Sequence, residues 1–382
     1  MTAVPNVASV TSVTWLSITV RFDERRGLSA LLASPFMNDA VVGIDEANVS
    51  AWMSEHVGAV APLSFELIAG GRSNLTYRVV DAGGSAFALR RPPTSHVLPT
   101  AHDMVREYTV ISALSPLGIP VAVPLGLCTD EEVNERPFYV MEFVDGAILR
   151  DRAQAEATYD EATRGVIGDH LAATLAQLHD VDVEEAGLGE LARHDGYIER
   201  QLRRWRTQYE QMHVEGVDHG GLIEAVGDEL SAKIPTQQRV SIVHGDYRLD
   251  NTVLDETGRV RAILDWEICT LGDPIADLGL LMVYWAEPAD PTASLLGVAP
   301  TTANGFASRD QVLKSYASHS SLDLSHVAYY QAFGYWKLAC IMQGVFARYS
   351  AGAAGGDQGS VAEYPTHILM LAQSAKMTLE GK

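Results

Sequence analysis

The sequence predicts an α+β chain in two parts: a small N-terminal lobe built on a five-stranded antiparallel sheet with one helix, and a larger, mainly helical C-terminal lobe. Three observations carry this. Short β-prone segments separated by Gly-rich turns crowd into residues 63–91. Apolar residues recur at helical spacing from about residue 150 onward. One short β-prone island, residues 240–265, interrupts those helices.

Taken in order, the first convincing helix lies near Asp45–His56, with Asp45 as N-cap and Val49, Trp52, Met53 and Val57 on one face. Segments 63–69, 75–81 and 86–91 follow as strands, broken by GGRSN and DAGGS, and read as a meander. Residues 101–115 return to helix, with Met104, Tyr108, Ile111 and Leu114 as its buried stripe. Strands near 121–128 and 137–143 complete the sheet. Beyond it, Ile167, Leu171, Leu175 and Leu178 mark a long amphipathic helix, and residues 196–212 form another. Helices resume from 277 to the end, apart from a loop at 287–310 and a Gly-rich stretch at 351–360. The domain expectation is a poorly ordered leader at 1–36 (or sequence upstream of a start at Met37), an N-terminal lobe at 37–144 and a C-terminal lobe at 145–382.

Bulk chemistry narrows the function classes. The chain has 382 residues, 47% of them hydrophobic and 20% charged, enough for about two domains with real cores. A formal charge of −21 repels nucleic acid and anionic membranes, so neither is expected as a partner. Cys128, Cys269 and Cys340 are far apart and form no CxxC pair, which argues against a disulfide framework or zinc site and suits a reducing, cytoplasmic setting. No apolar run reaches the ~18 residues that span a bilayer.

The sharpest local signal is His244-Gly-Asp-Tyr-Arg-Leu-Asp-Asn251, which follows the apolar strand Val240–Val243. Asp265-Trp266-Glu267 comes 14 residues after Asn251, at the end of a second strand. A tight hairpin through Asp255–Gly258 brings the two strand ends together, so Asp246, Asn251 and Asp265 are expected to converge. Asn and Asp offer the hard oxygens that suit Mg²⁺ against a triphosphate, and an Asp five residues before the Asn is placed to accept a proton from an attacking hydroxyl.

With these residues the sequence resembles the aminoglycoside phosphotransferase/choline kinase branch of the protein-kinase-like superfamily. HGDYRLDN matches the family's HxDxxxxN catalytic loop, and DWE stands where protein kinases carry DFG. The resemblance implies a bilobal protein-kinase-like fold and ATP and Mg²⁺ as cofactors. It implies Asp246 as base, Arg248 as a cation near the γ-phosphate, Asn251 and Asp265 as metal ligands, and Asp277 and His244 as braces of the loop. In the N-terminal lobe it points to Gly70, Gly71, Ser73 and Asn74 as the phosphate-covering loop. Ala88 would cover the adenine and Arg90 would reach the phosphates, the two sharing one face of their strand. Arg90 departs from the family's usual Lys, and Arg91 beside it competes for the role. Glu107 is the natural partner of that cation. Met141, Glu142 and Val144 mark the hinge whose backbone would bond the adenine.

The 11 residues between Asp265 and Asp277 leave no room for a peptide-holding activation segment. A small-molecule acceptor is therefore expected, with its pocket in the roughly hundred residues between Met141 and His244. Arg203 and Arg204, in the basic run Ile198–Arg206, and Glu267 are the candidate acceptor contacts. An even reading of that run is a solvated helix with Glu199 and Glu210 as partners. GGRSNLTYRV, ALRRPP, AHDMVREYTVISAL, RPFYVMEFVDG and DWEICTLGDPIADLG are together similar to the kinase-like domain fused to some acyl-CoA dehydrogenases and to its stand-alone bacterial relatives. That resemblance implies a hydroxyacyl-CoA or related hydroxy acid as acceptor. The alternatives are an aminoglycoside kinase and, from another class, a catalytically inactive nucleotide-binding regulator. The latter is disfavoured because Asp246, Asn251 and Asp265 are all present.

Overall fold

A computed structural model describes residues 41–69, 74–94, 103–215, 217, 219–295, 298–352 and 361–381. The expected leader, Gly70, Gly71, Arg72 and Ser73, and the Gly-rich residues 353–360 lie outside the described residues. The chain divides into two compact units. One holds the described residues up to Thr109 together with Val123–Phe143; the other holds Val110–Ala122 and everything from Val144 onward.

In the first unit, α1 (Glu46–His56) starts where Asp45 caps it, its carboxylate accepting from the Asn48 amide at 3.0 Å. Five antiparallel strands follow: β1 (Ser64–Ala69), β2 (Leu75–Val80), β3 (Ala86–Arg91), β4 (Pro124–Cys128) and β5 (Phe138–Glu142). Their order is β1-β2-β3-β5-β4, so the meander stops at β3 and the last strand inserts beside it. Tyr77 lies opposite Leu89, and Leu89 opposite Val140. That register turns Tyr77, Val79, Leu89, Phe138 and Val140 to one face, where Val49 and Met53 of α1 join them in a sealed core. Each such side chain contributes roughly 1.5–3 kcal/mol on burial. Thr76, Ala88, Arg90 and Tyr139 take alternate positions and share the other face. On that side lies α2 (Met104–Leu114), whose buried residues are Met104, Glu107, Val110, Ile111 and Leu114. Glu107 thus takes the place expected for Tyr108, a charge inside an apolar stripe.

The second unit is helical: α3 (Arg152–Thr158), α4 (Glu161–Asp180), α5 (Tyr197–Gln211), α6 (Leu222–Ala232), then, after a β-region, α7 (Ile275–Tyr284), α8 (Arg309–His319), α9 (Val327–Ser350) and α10 (Tyr364–Leu379). The β-region differs from a single hairpin with a leading strand. β7 (Thr252–Leu254) and β8 (Val260–Ile263) pair antiparallel as expected, with Thr252 opposite Ile263. β6 (Ser241–Val243) pairs instead with β9 (Thr270–Gly272), a strand that three residues of weak pattern do not announce. The hairpin turn is held by Asp255, whose Oδ1 accepts from the Thr257 amide at 2.8 Å and the Arg259 amide at 3.0 Å. Among the described residues no helix is long and apolar enough to cross a membrane.

Candidate active site

The HGDYRLDN segment leaves β6, turns at Gly245 (φ +86°) and enters β7 through a short 3-10 turn at Leu249–Asn251. Its backbone is fastened from two sides. Asp277, in the first turn of α7, accepts from the His244 amide at 2.6 Å and the Gly245 amide at 2.8 Å. Asp277 is buried, and burial alone would raise its pKa. The nearby His179 and the other donors outweigh that, holding its carboxyl below the ordinary carboxylate value. His179, at the end of α4, lies 3.5 Å from Asp277 and contacts the Tyr316 hydroxyl at 2.7 Å.

His244 Nε2 faces the Leu264 carbonyl at 2.8 Å and must be its donor, because a carbonyl only accepts. Its Nδ1 is then the acceptor for the Asp246 amide at 3.3 Å. Both ring nitrogens are committed to holding the loop, the arrangement of a brace.

Asn251 donates through its amide nitrogen to the Asp246 carbonyl and to Asp246 Oδ2, both at 2.9 Å. Both bonds use the amide nitrogen, so neither occupies the side-chain oxygen. The Leu264 amide donates to the Asn251 carbonyl at 2.8 Å, so the hairpin sets Asp265 directly after Asn251's cross-strand neighbour. Asp246, Asn251 and Asp265 are therefore brought together. Asp265 has φ +62°, the non-glycine residue with positive φ among those described. Backbone in this region is costly for a residue that carries a Cβ. An amide oxygen beside two carboxylates, with no His or Cys, fits an oxygen-preferring divalent cation such as Mg²⁺.

Arg248 sits 13% exposed, its Nη2 on Asp250 at 2.6 Å, its Nε 3.4 Å from Asp246 Oδ2 and its Cζ over the Tyr284 ring at 4.7 Å. Burial opposes its charge, but Asp246 and Asp250 more than offset that and hold its pKa above the ordinary value. Asp250 is itself pushed up, by burial first, although Arg248 pulls it down. Neither Asp250 nor Tyr284 was singled out by sequence.

In the first unit, Arg90 and Glu107 meet at 2.9 Å, with exposures of 12% and 1%. The Tyr139 hydroxyl donates to Glu107 at 3.0 Å and the Asn74 amide at 2.7 Å. Asn74 thus belongs to this brace. Arg91 points to the opposite face, its Nε on the Pro92 carbonyl at 3.0 Å, so Arg90 is the arginine that pairs with Glu107. Ala88 is buried opposite Met141; Glu142 ends β5 exposed, and Val144 opens the second unit.

On α5, Arg206 is taken by Glu210 and Asp228, and Arg200 donates to the Arg193 carbonyl at 3.0 Å. Arg203 is exposed, and Arg204 leans on the Trp205 ring at 5.1 Å. Glu267, half-buried, lies just past β8. Sequence reasoning also missed Lys337, whose Nζ donates to the Gly245 carbonyl at 3.2 Å. Its signal was available: it is the single charge from Val327 to Phe346, inside an apolar helix.

A five-stranded sheet with a braced cation, and a catalytic-type loop set among helices, define a small-molecule phosphotransferase of protein-kinase-like fold. The chain belongs to the phosphotransferase enzyme family, whose model matches residues 64–299. It is similar to chicken acyl-CoA dehydrogenase family member 11, 34% identical over 303 residues that cover 77% of this chain and 38% of that protein. The chain spans only 26–41% of the length of the curated relatives it matches. Among solved structures it is similar to a Ralstonia eutropha protein assigned provisionally as an aminoglycoside phosphotransferase (33% identity, TM-score 0.73, 87% of this chain and 98% of that one). A choline kinase from Cryptosporidium parvum shares the fold at 14% identity, with a TM-score of 0.61 over 88% of this chain and 97% of that one.

Proposed function

We propose that this phosphotransferase moves the γ-phosphoryl group of ATP, with Mg²⁺, to the hydroxyl of a small acceptor, a hydroxyacyl-CoA or related hydroxy acid. The observation that carries the reading is the Asp246–Asn251 contact at 2.9 Å with Asp265 beside it in the hairpin. Asp246 orients the acceptor hydroxyl and takes its proton as the oxygen–phosphorus bond forms and the bond to the β-phosphate oxygen breaks, releasing ADP. The Asn251 oxygen and Asp265 would hold the cation, which when bound offsets charge on the phosphates. Arg248, fixed between two carboxylates, presents its charge without swinging away. Arg90, aimed by Glu107, is the phosphate-facing cation of the first unit, and Gly70, Gly71, Ser73 and Asn74 are the loop assigned to the same phosphates. Ala88, Met141, Glu142 and Val144 are assigned to the adenine.

The likeness to acyl-CoA dehydrogenase family members supports an acyl-CoA or its parent hydroxy acid, as do Arg203 and Arg204 of α5, which make no ion pair among the described residues. ADP release with Mg²⁺-ATP over a panel of hydroxyacyl-CoAs, hydroxy acids, choline-like alcohols and aminoglycosides tests this. Acceptor-dependent release with the first two classes is the expected result. Release with aminoglycosides alone would replace the acceptor, and ATP binding without release for any acceptor would favour a regulator.

A further inference from the structure

Lys337 is a costly residue with unfinished chemistry. It is 8% exposed, in the middle of α9, yet it makes no ion pair among the described residues. Its ammonium carries three donors and spends one on the Gly245 carbonyl, and it lies 5.7 Å from the Trp205 ring. Burial pulls its pKa below the ordinary lysine value, even with Asp246 and Asp277 nearby pulling it up. Trp205 carries a second cation: the Arg204 guanidinium lies 5.1 Å from the same indole, and no carboxylate pairs with it either. In a chain with 49 acidic residues against 28 Lys and Arg, a buried lysine and an exposed arginine meet at one ring. One of them touches the residue immediately before Asp246.

We infer that Lys337, assisted by Arg204, anchors an oxyanion or carbonyl oxygen of the acceptor close to the hydroxyl that faces Asp246. The inference rests on the phosphotransfer reading and deepens it. An ammonium with two open donors beside the loop matches a carboxylate or a thioester carbonyl, and it repels a polycation. Lys337 is thus a specificity-determining residue rather than a general brace.

The rival is purely structural: Lys337 supports Gly245 and nothing else. The two readings separate by binding, without turnover. Calorimetry is run with Mg²⁺ and a non-hydrolysable ATP analogue present. The probes are 3-, 4- and 5-hydroxypentanoate, their CoA thioesters and the matched pentanediols, against wild type, Lys337→Met and Lys337→Arg. The anchor predicts that acids or thioesters bind better than diols, and that Lys337→Met weakens them about tenfold or more. Diol binding moves less than about threefold, Lys337→Arg recovers most of the loss, and the Tm of Lys337→Met is not below wild type because an unpaired buried charge has been removed. Acids and thioesters that bind no better than diols would overturn it, as would a Lys337→Met protein that binds all probes alike to wild type or loses all of them together with several degrees of Tm. Which of acid and thioester responds tells a free hydroxy acid from a CoA ester. Selective binding with no ADP release on ATP would sink the phosphotransfer reading and leave the anchor standing.

Discussion

At the scale of single residues, the account turns on backbone as much as on side chains. Asp265 pays for its position with φ +62°, a region that costs an ordinary side chain about 1–2 kcal/mol. The strain and the chemistry can be separated. Asp265→Ala and Asp265→Gly should both abolish phosphotransfer, yet the Gly variant should be the more stable by about 1 kcal/mol in denaturant unfolding, since only Gly relieves the strain. Equal stabilities would mean that the conformation carries no strain. Asp246, Asn251 and Asp265 were legible in sequence because their spacing and the DETG turn between them are local. Lys337 and Tyr284 were not, because they reach the loop from helices 30 to 90 residues away, and only packing reveals that.

At the scale of elements, the catalytic loop is an irregular segment made rigid by what surrounds it. Asp277 gathers two loop amides from the start of α7, and His179 lies beside it from the end of α4. Asp277→Asn replaces an acceptor oxygen with a donor facing those amides and should cost about 3 kcal/mol, seen as a Tm lower by roughly 6–12 °C. The pH dependence has a definite sign. The folded-state pKa of Asp277 is lowered, so its stabilisation is fully present above the ordinary carboxylate value of about 4. It is lost as pH falls through the lower folded value. Asp277→Asn should therefore flatten the acid limb of the stability profile; an unchanged limb would remove Asp277 from the account. Helices and strands with strong periodicity, such as α4 and β3, were legible at this scale. β9 was not, because three residues beside a Gly carry no pattern and its existence depends on β6 finding it.

At the scale of the whole molecule, sequence and structure agree on a β-rich first unit and a helical second one, because binary patterning differs sharply between the two halves. The division is finer than a single cut after residue 144: Val110–Ala122 is reached through α2 yet packs with the second unit, where the Ile263 amide donates to the Pro120 carbonyl at 2.7 Å. Chain order alone could not assign that segment. The net charge of −21 set the expectation of no polyanionic partner but hid the local cations of Arg204 and Lys337, since a sum over the chain says nothing about a site. The central claim is that Asp246 is the base of an acceptor-dependent phosphotransfer. It is tested most directly by comparing wild type with Asp246→Asn for acceptor-dependent ADP formation, with nucleotide affinity measured on both. The account predicts a loss of about 10²–10⁴-fold in kcat with nucleotide affinity retained; a variant that turns over at the wild-type rate would contradict it.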